Sequence, residues 1–165
     1  MAVITVGDSA TSRSTYFSEG YTGITLNKSA DGTGTINSVS FYFYTDAGSV
    51  YAGLFYLSSG TTYINRSQIS IGNCSSGSKQ TFTGVSGAVV LGDFIGFYFN
   101  PGWIYIDGGG SALYKLGNNM GTTSTYSAGT WFISCEGSGI TPGKKWNGIT
   151  ISKWNGALLS KINII

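Results

Sequence analysis

The stretch 36-INSVSFYFYTDAG-48 decides how this chain folds. Val39, Phe41 and Phe43 alternate with Ser40, Tyr42 and Tyr44, so a strand here presents an apolar face and a polar or amphipathic one. Asp46 and Gly48 then supply turn chemistry. Working outward, similar runs occupy 49-SVYAGLFYLSSG-60, 61-TTYINRSQISIG-72, 78-SKQTFTGVSG-87, 92-GDFIGFYFN-100, 102-GWIYIDGGG-110 and 129-GTWFISCEG-137. Each is closed by Gly, Asn, Asp or Ser, and turns recur at about the 8 to 14 residue rhythm of a sandwich or barrel. Further strands are expected at AVITV (2–6) and near 22–28. No segment keeps apolar residues at helical spacing for three turns. The expectation is an all-β, two-layer antiparallel β-sandwich, jelly-roll-like, over residues 1–141, followed by a small C-terminal β-meander over 142–165, with the stretch GSGITPGKK (137–145) reading as a linker or sharp corner at a boundary near Pro142.

The chain has 165 residues, which suits one domain with a core that needs no cross-links. Twenty-six Gly, 15% aromatic and only 10% charged residues describe a folded chain with a neutral surface, since 41% hydrophobic residues would collapse rather than stay solvated. The net charge of +2 hides an asymmetry: residues 1–143 carry five basic and seven acidic residues, and residues 144–165 carry four Lys and no acid. Interleaved Trp, Ile and Leu set that tail apart from a flexible basic arm, so nucleic acid is not an expected partner. The first 17 residues show no Sec-type signal, and no run approaches the roughly 20 apolar residues of a membrane helix. A cytoplasmically made chain without membrane insertion is expected. In that setting Cys74 and Cys135 are expected to be free and buried, a bridge between them being the alternative.

Catalytic chemistry is scarce. With no His there is no Ser-His-Asp or Cys-His nucleophile, no imidazole acid or base and no His metal site. Two carboxylates could still run glycoside hydrolysis, but Asp31, Asp46, Asp93 and Asp107 stand in Gly-flanked segments, where Asp is expected to serve a turn. The Ca²⁺-binding spacings are absent, and SGITPGKK departs from a phosphate loop because its leading Gly is Ser138 and Lys145 follows Lys144. The reading is a non-enzymatic protein with no cofactor and no metal.

Aromatic side chains are the surplus. Tyr42, Tyr44, Tyr56, Tyr98 and Tyr105 fall opposite the Phe and Ile faces of their strands, and together with Trp103 they are candidates for stacking on a glycan or a protein partner. Cross-strand pairs that only firm a sheet are the alternative.

The tail raises a second expectation. In 144-KKWNGITISKWNGALLSKINII-165 a Lys-Trp-Asn-Gly unit returns after eight residues, then again as Lys-Ile-Asn-Ile. Asn-Gly between apolar runs is a strong type I′ hairpin signal. Turns at Asn147-Gly148 and Asn155-Gly156 predict strands 142–146, 149–154 and 157–162, with Trp146 opposite Ile149. One face collects Trp146, Ile149, Ile151, Leu158 and Ile162, while Trp154 and Leu159 interrupt the other. A sheet this small is marginal alone, so these residues are candidates for contact with the body or with sister chains.

The tail resembles the tandem Lys-x-Asn-Gly tails that close many bacteriophage and phage-like structural proteins, typically tail-fibre, appendage or virion-surface components. Residues 77–110, with their Gly-Ser-Lys-Gln-Thr-Phe and Gly-Asp-Phe-Ile-Gly segments, are similar to a β-rich module met in such proteins. The third repeat departs from the pattern because its Gly is lost and its Trp is Ile. The resemblance implies a non-enzymatic virion protein, such as a capsid decoration protein or a tail-fibre component. Such a protein would self-associate, as a trimer in the first instance, beside other virion proteins. The rivals are a carbohydrate-binding module that meets cell-surface glycan through its aromatics, and a filament subunit in which KINII adds a strand to the next chain.

Overall fold

The computed structural model describes residues 1–143 and, in backbone alone, residues 145–146 and 149–150. Its strands are β1 (Val3–Gly7), β2 (Thr15–Ser18), β3 (Tyr21–Thr25), β4 (Gly34–Thr45), β5 (Ala47–Ser59), β6 (Thr62–Cys74) and β7 (Lys79–Val89). There follow β8 (Phe94–Tyr98), β9 (Trp103–Leu116), β10 (Thr123–Thr125), β11 (Ser127–Ile133) and β12 (Cys135–Ile140). No helix occurs among the described residues. The fold is the expected all-β antiparallel sandwich.

One layer runs β1-β12-β4-β7 and the other β10-β6-β5-β8-β3-β9, with β2 and β11 also paired to β9. The decisive stretch sits where the layers join. Residues 34–42 of β4 pair with β7 in the first layer, whereas Phe43 and Thr45 pair with Ile104 and Trp103 of β9 in the second. Alternation explains the interior: Val39, Phe41 and Phe43 are fully buried and meet Ile4, Val6, Ile36 and Cys135 of their own layer. Facing them from the second layer are Val50, Leu54, Ile95, Phe97, Phe99 and Ile104. Burying each of these large side chains is worth about 1.5–3 kcal/mol.

A second apolar cluster lies on the far face of the larger layer. Ile24 and Leu113, paired across β3 and β9, join Phe55, Tyr63, Met120 and Tyr126 there. Tyr126 and Met120 come from the segment that crosses to β6, so β3, β5 and β9 are covered on both sides over this region. Cys74 and Cys135 are free and buried, as expected.

The structure corrects three local readings. IDGGG does not close a strand, because β9 continues through it to Leu116. The glycines instead form an irregularity opposite β11, where a side chain on Gly110 would strike the Trp131 backbone. GTWFISCEG is two strands broken at Ser134, whose backbone N–H donates to Tyr105 O at 3.1 Å. GSGI, read as part of a linker, belongs to β12 and pairs with both β1 and β4. In the tail, β13 (Lys145–Trp146) and β14 (Ile149–Thr150) pair antiparallel with Trp146 opposite Ile149, the register expected of a hairpin there. The side chains of Trp146 and Ile149, and the candidates Ile151, Trp154, Leu158, Leu159 and Ile162, lie outside the described residues.

Candidate functional site

Register places the candidate aromatics. Ile104 of β9 lies between Phe43 of β4 and Phe17 of β2, so the residues flanking these three turn to the opposite, outer face. That face gathers Tyr42 and Tyr44 from β4, Trp103 and Tyr105 from β9, and Tyr16 from β2, which lies directly opposite Tyr105. Tyr16 is 44% and Tyr44 45% exposed, while Tyr42, Trp103 and Tyr105 are half-buried. Four of the six candidates read from sequence therefore meet in one strip.

The ring geometry defines the surface. Tyr16 stacks on Trp103 (centroids 4.4 Å apart, planes 13° from parallel) and on Tyr44 (4.8 Å, 21°). Trp103 and Tyr44 are themselves 6.0 Å apart and within 11° of parallel. Stacked rings are separated by about 3.5 Å, so two rings on opposite sides of Tyr16 would be about 7 Å apart or more. The shorter separation puts Trp103 and Tyr44 side by side beneath Tyr16. Tyr16 reaches across β9 to lie over both, and its other face points away from the stack. Tyr105 meets Tyr44 edge-on at 5.4 Å and Tyr42 at 5.3 Å, which buttresses the slab. The Tyr42 hydroxyl donates to Gly77 O at 2.9 Å, tying the end of the strip to the loop before β7.

Tyr56 and Tyr98 stand apart from the strip. The Arg66 guanidinium lies 4.5 Å above the Tyr56 ring and is paired with Asp93, so Tyr56 braces β5 against β6. Tyr98 packs at 6.4 Å from Tyr51 across β5 and β8. Both are better explained as sheet-firming pairs.

Tyr16 was missed from sequence. Its strand, TYFS, is four residues long and begins at the end of a Ser/Thr-rich segment, 9-SATSRST-15, that gives no two-period signal. What holds it is remote: Asp107 of β9 accepts from the Ser14 backbone N–H (2.7 Å) and hydroxyl (2.5 Å), and Arg13 approaches the same carboxylate at 3.5 Å. The Ser14 hydrogen bonds hold the Asp107 carboxyl below its ordinary range, with Arg13 adding to the effect.

Beside the strip is an open depression of about 400 Å³ lined by Asp46, Ala47, Gly48, Asn73, Cys74, Ser75 and Pro101. Asp46 and Pro101 each stand two residues from a ring of the slab, Tyr44 and Trp103 respectively. Gly48 N–H donates to Pro101 O at 2.8 Å, joining two of its lining residues. Asp46 Oδ1 accepts from the Ser76 N–H and hydroxyl, both at 2.8 Å, and these bonds lower its pKa. Oδ2 of Asp46 has no hydrogen bond among the described residues.

The remaining carboxylates fasten segments together. Asp8 accepts from Thr25, Asn27 and the Ile133 N–H, and Asp31 from the Thr5 N–H and hydroxyl. Glu19 accepts from the Gly102 N–H, Asp93 from Arg66 and the Val90 N–H, and Glu136 from Lys79. Of the four Asp expected to serve their own turns, only Asp93 does so, at Val90; Asp31, Asp46 and Asp107 reach 26 to 93 residues away. Comparison of the chain with protein-family models, characterised proteins and solved structures gave no match.

Proposed function

We propose that this chain is a non-enzymatic display and adhesion module of a phage or phage-like particle: a rigid β-sandwich that joins like subunits through its C-terminal segment and meets its target through the aromatic strip. The observation that carries the adhesive half is the slab of Trp103 and Tyr44 under Tyr16, aromatic area held at the surface by paired strands. The assembling half rests on the tail, where Trp146, Ile149, Ile151, Leu158 and Ile162 would form an apolar face that a neighbouring subunit covers. Trp154 and Leu159 would supply a second contact. Carboxylates committed to bracing and a composition without His support the non-enzymatic reading.

Sedimentation of the full chain at micromolar concentration tests the assembling half. A homo-oligomer is expected, a trimer in the first instance. The double variant Trp146→Asp, Ile149→Asp should be monomeric with an unchanged far-ultraviolet spectrum. A monomeric native chain would overturn self-association, and open linear polymers would favour the strand-addition filament instead.

A further inference from the structure

We infer that the strip and the adjoining depression form one binding site for a neutral oligosaccharide. The inference deepens, and rests on, the adhesive half of the reading above. Three features select the ligand. The outer face of Tyr16 is a flat ring backed by two near-parallel rings, which suits the C–H face of a pyranose. The depression offers acceptors where a ligand hydroxyl can donate: Asp46 Oδ2 and the exposed amide of Asn73. The charges around the site disfavour an anion, since Arg13 faces Asp107 and Lys79 faces Glu136 while Asp46 and Glu19 have no cationic partner among the described residues. A saccharide of two or more rings lying along the strip has one ring on Tyr16 and hydroxyls within reach of Asp46. Flat aromatic area with few aliphatic side chains, beside a polar hollow, fits a polyhydroxylated ring better than an acyl chain.

The test uses the full chain against an array of neutral hexose and N-acetylhexosamine oligosaccharides, with sialylated and sulfated counterparts. Titration calorimetry of the best binder follows. Saturable binding to neutral members is expected, with the anionic counterparts weaker. Tyr16→Ala and Trp103→Ala should each weaken binding at least tenfold. Tyr16→Phe, which keeps the ring, should bind within about twofold of the native chain. Asp46→Asn should weaken binding severalfold, and a thermal midpoint near the native one would show that each variant is folded. The proposal is overturned if no neutral glycan binds saturably, if the anionic members bind better, or if folded Tyr16→Ala and Trp103→Ala bind like the native chain. Sedimentation of the same samples separates the two readings: absent glycan binding with an intact oligomer removes the saccharide alone, and loss of both removes the display reading too.

Discussion

Tyr126 brings its hydroxyl into the cluster around Phe55 and Tyr63 with no hydrogen-bond partner among the described residues, and burial pushes its pKa up to about 12. A buried donor left unpaired costs free energy that a phenyl ring of the same shape does not. Tyr126→Phe should therefore raise stability by about 1 kcal/mol, read as a higher urea midpoint with an unchanged slope. Burial likewise raises the Cys74 thiol to about 12 from an ordinary 9.0 and lifts Cys135 well above its ordinary value. The neutral thiols and phenol are favoured in the fold, so what they contribute to stability is complete below pH 9 and is lost as pH rises towards 12. Alkaline titration of the thermal midpoint checks the sign, and neither thiol should react with a disulfide reagent at pH 8 until the chain is unfolded. At this scale the sequence was uneven as a guide. Alternation located Tyr42, Tyr44, Trp103 and Tyr105, because period two is a local property. Tyr16 escaped it because a distant carboxylate, Asp107, sets its position.

Pairing between elements explains what the side chains alone do not. Arg66 of β6 grips Asp93, which is only 2% exposed and also accepts the Val90 N–H at the turn before β8. Gly92, at φ 91°, occupies the position of that turn that favours glycine, and the Asp93 N–H closes it onto Val90 O at 2.9 Å. Arg66→Met would leave a buried carboxylate without its cation and should cost about 2–3 kcal/mol in chemical denaturation. The β2 segment is held more lightly, through Asp107 at the surface. In Asp107→Ala, trypsin should cut after Arg13 far faster than in the native chain. Because hydrogen bonds depress the Asp107 pKa, the stability this tether supplies is present above the ordinary carboxylate value of 3.8 and is lost as pH falls below it. Native Arg13 should therefore become susceptible to an acid-tolerant protease only in strong acid. The boundaries that sequence misplaced, at IDGGG and GSGI, are glycine runs kept in strands by neighbours close in space and far along the chain. Punctuation residues read locally as turns, but β11 and β1 pair across them.

In the whole molecule, β4 belongs to both layers, so the sandwich and the aromatic strip share one strand. Phe41 and Phe43 anchor the inner face while Tyr42 and Tyr44 build the outer one. Disturbing the core at Phe43 should therefore disturb the surface: Phe43→Ala is expected to cost about 3–5 kcal/mol and to change the fluorescence of Trp103 through the altered stack. The two-layer architecture was legible because turn spacing and alternation recur along the body. Which strands neighbour which was not, since the order places β12 between β1 and β4, and no local pattern encodes so distant a choice.

The two ends of the body meet at one corner. Ala2 N–H donates to Thr141 Oγ1 at 2.9 Å, the Thr141 N–H donates to Ala2 O at 3.0 Å, and Val3 sits opposite Ile140. Tension drawn between those two points loads a single rung at a time, so β1 should peel from β12 at low force rather than shear as a block. The same closeness makes the body a spliceable cassette. A short Gly-Ser bridge from Thr141 back to Ala2 should tolerate new ends opened at the exposed Ser59–Thr61 bend, leaving the strip facing outward on a rewired chain.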